Sequence, residues 1–458
     1  MGIGGSGMSA AAIIAKKQGY KVSGCDLSDN TPYLEKLKKE KIPVKKGHDI
    51  HHLKGVDILT VTPAAFFAND KIDEISKAKK VITWQNFLGE YLQKGKKVIC
   101  IAGTHGKSTT TAMAGLLFEE MKHDPTVMVG AGIKKWKSNA RAGKGNIFIT
   151  ESDEFFDNFL NYAPDTIILN NIEFDHPDFF KNEKQLFESF KRHIQNLTGS
   201  KTLIFNQDCP GIKRLLDMFD KDFISSIKKA GYTLKEKALI ETEISFRAKD
   251  IVLGKEKTHF TVENSHCYAG EKIELLIPGI YNVSNAMGVI VLSALENIKF
   301  SEIKKFFLKF DGIERRMELI GKRGGVSVFE DYAHHPTAVK ETLKAVRQKY
   351  PKSRIWAVVE PHSYSRTSKL LHLYRNCFEA ADMVLIAPIF KARDKNNFNV
   401  SEKHIARVSN HKNIKHFKIF NMLVEYYESK VKKGNVVVVM GAGESYNYTR
   451  KILYKTPR

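Results

Sequence analysis

Val98-Ile-Cys-Ile-Ala-Gly-Thr-His-Gly-Lys-Ser-Thr-Thr-Thr111 decides the fold. Its opening residues, Val98 to Ala102, are apolar and read as a buried strand. Gly103-Thr-His-Gly-Lys-Ser108 then turns the chain. Thr109 to Met121 reads as a helix with Met113, Leu116, Leu117 and Met121 on one side. Strand, glycine turn and helix N-terminus together bind anions: free backbone N–H groups point at the ligand, and the helix dipole adds positive charge. Lys107 is placed to reach the β- and γ-phosphates of a nucleotide, and the Ser108 hydroxyl to ligate Mg²⁺. The loop is tighter than the G-x-x-x-x-G-K-[ST] pattern, since only Thr104 and His105 separate Gly103 from Gly106.

The composition bounds what surrounds this loop. A chain of 458 residues holds two or three domains, and 42% hydrophobic with 27% charged residues is ordinary for a soluble globular protein. No run approaches ~18 apolar residues, so no membrane span is expected. Residues 1–10 are glycine-rich and uncharged, unlike a secretory signal. Cys25, Cys100, Cys209, Cys267 and Cys377 are scattered without a C-x-x-C pair, which places the chain in a reducing cytoplasm. The net charge of +22 raises nucleic-acid binding as a possibility. Yet the lysines are spread along the whole length, as in Lys16-Lys17 and Lys96-Lys97, so no nucleic-acid partner is expected. Such a surface attracts polyanionic small substrates instead.

Before the loop, Gly2, Gly4 and Gly7 fit G-x-G-x-x-G and open a helix. Lys21 to Asp26 reads as the next strand, ending in an acid placed to take ribose hydroxyls. This fingerprint calls for a strand ahead of its first glycine, and the expectation is that this strand is absent or lies before a start assigned too late. Leu34–Lys41, Asp70–Ala78 and Asn86–Leu92 read as helices, and Val56–Thr62 and Lys80–Thr83 as strands, so a small parallel sheet is expected before a boundary at Lys94–Lys97.

After the loop, Gly145–Thr150 and Thr166–Asn170 are strands ending in Glu151-Ser-Asp-Glu154 and Asn171-Ile-Glu-Phe-Asp-His176. Polar residues just past parallel strands line the active crevice, so Glu151 and His176 are expected on the rim that carries Lys107, as Mg²⁺ ligands. Strand-like pieces continue at Lys201–Phe205, His259–Val262 and Ile273–Ile277, and Asn282 and Asn285 share one face of the next helix. Near Gly312 a third unit begins. Its strands Val326–Phe329, Ile355–Val359, Met383–Ile386 and Val436–Met440 end in polar or glycine-rich turns, and the four-valine run reads as a strand buried on both faces.

In this order the motifs resemble the Mur ligases over nearly the whole chain. They are Gly-Ile-Gly-Gly-Ser-Gly-Met-Ser at 2–9, Gly-Thr-His-Gly-Lys-Ser-Thr-Thr at 103–110, Asn-Ile-Glu-x-Asp-His at 171–176, Asp-Tyr-x-His-His-Pro at 331–336, Pro-His-x-Tyr-Ser-Arg-Thr at 361–367 and Gly-Ala-Gly at 441–443. The resemblance implies an α/β fold of three Rossmann-like domains. Residues 1–94 would bind a UDP sugar, 95–311 form a P-loop-type ATP domain on a mostly parallel sheet, and 312–458 take the incoming amino acid. It implies an ATP-dependent, amide-forming ligase that joins L-alanine to the lactoyl carboxylate of UDP-N-acetylmuramate through an acyl phosphate, acting as a monomer or weak homodimer. Carried over, Gly4, Gly5, Ser6 and Asp26 resemble UDP-sugar contacts. Gly103, Thr104, His105, Gly106, Lys107, Ser108 and Thr109 resemble the ATP loop. Asn282, Asn285, Arg315 and Asp331 resemble nucleotide contacts. Ser108, Glu151 and His176 resemble the Mg²⁺ ligands, and His334 and Arg366 resemble residues that hold substrate.

Some positions depart from the family pattern. Ser363 stands where some relatives carry arginine. Lys191 lies near the place where sister ligases carry a carbamylated lysine and is read as a solvated helix residue. The nearest rival is the recycling branch, which accepts a preformed peptide, and Phe174 and Asp178-Phe-Phe resemble it. An NAD(P)-dependent oxidoreductase would leave the phosphate loop unexplained, and a nucleic-acid-binding ATPase would show steeply salt-dependent DNA binding.

Overall fold

The computed structural model describes every residue except 30, 64, 66–72, 265–268, 395–397 and 457–458, with residues 32 and 269 described by backbone alone. The expected helix at Asp70–Ala78 is described only from Asp73, where a helix Asp73–Lys77 begins, and Cys267 lies outside the described residues. Two compact units are formed. One comprises Met1–Glu173, Lys184–Arg247 and Asn285–Ile303, the other Phe174–Glu183, Ala248–Ser284 and Lys304–Arg458.

In the first unit the expected single small sheet is two short parallel pairs. β1 (Gly24–Asp26) pairs with β2 (Val44–Lys46), and β3 (Leu59–Val61) with β4 (Val81–Thr83). Residues 1–3 touch both pairs: Met1 N donates to Thr60 O at 2.8 Å, and the Gly2 and Ile3 amides both go to Cys25 O at 2.9 and 3.2 Å. Two consecutive amides share one carbonyl, so residues 1–3 do not form a regular ladder. The helix Ser6–Lys17 follows, burying Met8, Ile13 and Ile14. Any side chain at Gly7 would run into the Trp84 ring, so this helix needs glycine there to pack.

The larger sheet of this unit contains β5 (Lys97–Ala102), β6 (Thr126–Ile133), β7 (Ser138–Arg141), β8 (Ile147–Glu151), β9 (Thr166–Leu169), β10 (Thr202–Asn206), β11 (Lys228–Thr233) and β12 (Ile244–Leu253), the last running into the second unit after Arg247. Their order is β12-β11-β10-β9-β5-β8-β6-β7, parallel throughout except β6 with β7. The chain places β8 on one side of β5 and β9 on the other, so the loop after β5 opens where the strand order reverses. That is the ligand-binding position of a doubly wound sheet. The helix Lys107–Glu120 behind the loop is buried over most of its circumference, from Ser108 through Gly115 and again at Leu117 and Phe118, while Leu116 is half-buried. The one-sided reading was too narrow, because small Thr, Ala and Gly residues let neighbouring elements close over the other faces.

In the second unit, β13 (Thr258–Glu263) and β14 (Ala269–Leu275) form an antiparallel pair. A separate sheet runs in the order β15 (Glu318–Arg323), β16 (Val326–Asp331), β20 (Val436–Met440), β17 (Ile355–Val359), β18 (Met383–Ile386), β19 (Ile414–His416), antiparallel only at β15 with β16. The valine run is β20, fully buried between β16 and β17 as its composition requires. The loops after β16, β17, β18 and β20 therefore gather at one edge of this sheet. Lys191 departs from its reading: it is half-buried, with Nζ 5.8 Å from the centre of the Phe219 ring.

Candidate active site

The phosphate loop is built by two glycines that adopt positive φ, Gly103 at +126° and Gly106 at +84°. A Cβ at Gly106 would strike Asn285 Oδ1, so the close approach of helix Ile280–Leu295 requires glycine as well. Asn170 and Asn171, just past β9, brace the turn. The Asn171 side chain accepts from His105 N at 2.8 Å and donates to His105 O at 3.1 Å, and Asn170 Nδ2 donates to Thr110 Oγ1 at 3.0 Å. Thr104 Oγ1 donates to Glu173 O at 2.9 Å, and His105 Nε2 lies 2.9 Å from Glu173 Oε2.

Lys107 reaches back across the loop. Its Nζ donates to Gly103 O and to Glu154 Oε2, each at 2.7 Å, with Asp153 Oδ1 at 3.8 Å. Burial penalises the ammonium, but Glu154 and Asp153 outweigh that penalty and hold its pKa above the usual lysine value. Glu154, itself buried, is thus the counter-ion of the loop lysine. Glu151 instead accepts from Gly130 N. Both acids stand in one acidic run, Glu151 as the last residue of β8 and Glu154 three residues on. Which of them faces the lysine depends on the turn that follows, where Phe156 and Asp157 take positive φ, and no sequence spacing signals that. Ser108 sits buried at the head of its helix, and Thr109 is buried beside it.

The N-terminal glycine turn is held by side chains around it. Asp26, closing β1, accepts from Gly4 N at 2.7 Å, and the Thr31 hydroxyl donates to Gly4 O at 2.9 Å. Gly5 caps the helix Ser6–Lys17. Ser6 Oγ donates to Gly130 O at 3.1 Å, and Asn139 Nδ2 donates to Ser6 O at 2.8 Å.

In the second unit the turn after β17 carries a buried cation. Arg366 Nε lies 2.8 Å from Asp175 Oδ1, Nη1 3.2 Å from His362 Nδ1, and Nη2 3.0 Å from His176 Nδ1. Burial opposes a charge on Asp175, but Arg366 more than offsets this and holds the carboxyl well below its usual range. Burial, reinforced by Arg366, pushes His362 down to about 3 and His334 well below the ordinary imidazole value, so both rings are neutral. His334 Nδ1 donates to Tyr332 O at 3.0 Å, which leaves its Nε2 as the acceptor. Ser363, at φ +58°, caps the short helix Tyr364–Lys369 by accepting from Arg366 N, and Asp394 holds Ser365 through N and Oγ, each at 2.8 Å.

Arg315 and Asp331 are engaged within this unit. Arg315 donates to Glu330 Oε1 at 2.7 Å, Ser445 Oγ at 3.1 Å and Gly441 O at 3.3 Å, and Asp331 accepts from Met317 N and Ala333 N at 2.7 Å. Asn282 Nδ2 donates to Pro278 O at 2.7 Å. Glu154, Asp175 and Asp394 were not singled out from sequence. Asp175 could have been, since it stands next to His176 in the quoted motif.

Family models match in sequence order: the Mur ligase family catalytic domain at residues 1–94, the Mur ligase middle domain at 101–293, and the Mur ligase glutamate ligase domain at 315–443. The chain is 32% identical to a UDP-N-acetylmuramate–L-alanine ligase of Caldanaerobacter subterraneus over 99% of this chain and 96% of the relative. It is 33% identical to one of Clostridium tetani over 97% and 95%. In fold it is similar to the UDP-N-acetylmuramate-alanine ligase MurC of Thermotoga maritima (TM-score 0.78, 21% identity, 99% of this chain and 97% of that one). It is also similar to a murein peptide ligase of Psychrobacter arcticus (TM-score 0.70, 23% identity, 99% and 97%). Matched by three of the family's models and more than 30% identical to its members over nearly its whole length, this protein belongs to the Mur ligase family.

Proposed function

We propose that this enzyme joins L-alanine to the lactoyl carboxylate of UDP-N-acetylmuramate, with ATP, in the synthesis of peptidoglycan precursors. The observation that carries the reading is identity above 30% to alanine-adding ligases along essentially the whole chain. A lactoyl carboxylate oxygen attacks the γ-phosphorus of ATP and ADP leaves. The amine of alanine then attacks the acyl phosphate, the C–N bond forms, the C–O bond breaks, and phosphate departs with the amine proton lost to solvent.

Gly103 to Thr109 cradle the phosphates. Lys107 exchanges Glu154 for the transferring phosphoryl group and stabilises the charge that develops on it. Asn282, Asn285, Arg315 and Asp331 serve the nucleotide, directly or by holding the turns that do. Gly4, Gly5, Ser6 and Asp26 take the UDP sugar. Arg366 pairs with Asp175 by charge, and His362 and His176 each take one N–H of its terminal nitrogens, leaving the other N–H on each terminal nitrogen for a bidentate carboxylate. His334 Nε2 accepts from the amine. The hydroxyl of Ser108 and the carboxylate of Glu151 are hard oxygen donors that would suit Mg²⁺. A Mg²⁺ held there would neutralise charge on the phosphates. We place the enzyme in the cytoplasm as a monomer or weak homodimer. The described thiols are buried and unpaired, and no helix among the described residues is long and apolar enough to cross a membrane.

Phosphate release from ATP, measured with UDP-N-acetylmuramate and each of L-alanine, glycine, L-serine and L-Ala-γ-D-Glu-diaminopimelate, tests the reading. L-Alanine is expected to be used best, and a clear preference for the peptide moves the protein to the recycling branch.

A further inference from the structure

Glu360 directly follows β17 and precedes the Pro361–Thr367 turn that carries His362 and Arg366. It is 1% exposed, and its Oε1 accepts from Gly443 N at 2.9 Å and Glu444 N at 3.1 Å, at the head of the helix Ser445–Lys455. Its backbone N donates to Met440 O at 2.8 Å. Neither glycine of Gly441-Ala-Gly443 tolerates a side chain: a Cβ at Gly441 would crowd Glu360 Cβ, and one at Gly443 would strike Glu360 Oε1 and the Phe390 ring. Phe390, after β18, completes the contact, for Ser363 N donates to Phe390 O at 2.8 Å and Phe390 N to Pro361 O at 2.9 Å. The Glu360 carboxylate thus fastens the loop after β20 to the end of β17, and backbone bonds tie the loop after β18 to the same Pro361–Thr367 turn, which bears the amino-acid site.

We infer that Glu360 is a positioning residue for amino-acid binding: it registers the His362–Arg366 turn against the Gly441–Glu444 turn and so sets where the Arg366 fork meets the substrate carboxylate. The inference rests on the reading of Arg366 proposed above. An ordinary structural acid would have both oxygens satisfied, but Glu360 Oε2 is buried with no hydrogen-bond partner among the described residues. That deficit is retained at a site where an apolar residue or a glutamine would cost less. The charged and titratable groups facing it are Arg315 ahead of β15, Glu444 in its own turn, and Tyr448 on the following helix. Burial raises its pKa to about 7, against the two amides and Arg315. The anion accepts more strongly than the acid, so the fastening tightens as pH rises through that value.

The test compares wild-type, Glu360→Ala and Glu360→Gln enzymes in the phosphate-release assay between about pH 6 and 8. Glu360→Ala is expected to raise the KM for alanine about tenfold while the KM values for ATP and UDP-N-acetylmuramate stay within about twofold. Glu360→Gln, which keeps the acceptor and cannot ionise, is expected to recover most of that loss and to abolish the rise of kcat/KM for alanine through pH 7. An unchanged alanine KM in Glu360→Ala, or a pH profile in Glu360→Gln that matches wild type, overturns the inference. If Glu360→Ala does not fold, the Glu360→Gln profile decides alone. Absence of alanine-dependent turnover in wild type overturns the proposed function instead, so the two failures are distinct.

Discussion

Lys107 rests on two acceptors, Gly103 O and Glu154 Oε2, and in the proposed mechanism a nucleotide phosphate takes the place of the second. Lys107→Ala is expected to lower ATP-dependent ligation by at least about 100-fold, because it removes charge stabilisation present only at the transferring group. Calorimetry should still detect UDP-sugar binding to this variant; turnover above about a tenth of wild type would remove the lysine from the mechanism. Arg366→Lys is expected to raise the alanine KM more than the ATP KM, since an ammonium cannot supply a fork. Away from these sites, His193 is buried, stacked on Phe159, and bonded through Nε2 to Ser152 Oγ at 3.0 Å. Burial lowers its pKa to about 3. The unfolded chain therefore takes up a proton near pH 6.5 that the folded chain refuses. The stability contribution is complete above that pH and is lost as pH falls toward 3, by an amount on the order of 4 kcal/mol. Urea midpoints of wild type should fall across this window and those of His193→Gln should fall less; parallel curves would show that His193 does not titrate.

At the scale of elements, the strand–turn–helix around Gly106 was legible because glycine spacing and apolar runs are local signals. Its tolerance is set by neighbours. Gly106→Ala meets both a φ of +84° and the Asn285 carbonyl oxygen. It is expected to destabilise by about 1–3 kcal/mol and to raise the ATP KM sharply. A thermal midpoint and ATP KM equal to wild type would mean that the helix Ile280–Leu295 can withdraw from the loop. The short N-terminal strands were over-read for a related reason. Lys21–Ser23 and Val56–Ile58 have strand-like residues, but the described ladder contacts begin only at Gly24 and Leu59, where a partner strand is present. Strand propensity registers only where a neighbour supplies the hydrogen bonds.

Over the whole molecule, the +22 charge is dispersed, and many of its lysines are exposed. Steering of ATP and the UDP sugar by this field predicts that kcat/KM for both falls as salt rises, while kcat changes little. Equal sensitivity of kcat would point to a charge effect within the catalytic step. Side-chain selection also belongs to this scale. A methyl-sized pocket separates alanine from glycine by about 1–3 kcal/mol, or roughly 10–200-fold in kcat/KM. Glycine should therefore be a weak but measurable substrate, and equal use of the two amino acids would show that no such pocket is formed.

The sequence by itself determined the α/β alternation, the parallel sheets, the phosphate loop and the buried valine strand, because each is written in the period of apolar residues and in glycines at fixed spacing. Tertiary structure decided which acid answers Lys107, since Glu151 and Glu154 are three residues apart in one acidic run and only the fold directs one to Gly130 and the other to the lysine. It also decided the company of Arg366, whose partner His176 lies 190 residues earlier in the chain. A charge can be buried only where opposite charge and hydrogen bonds are delivered to it, and that delivery depends on the path of the whole chain, which no local pattern records.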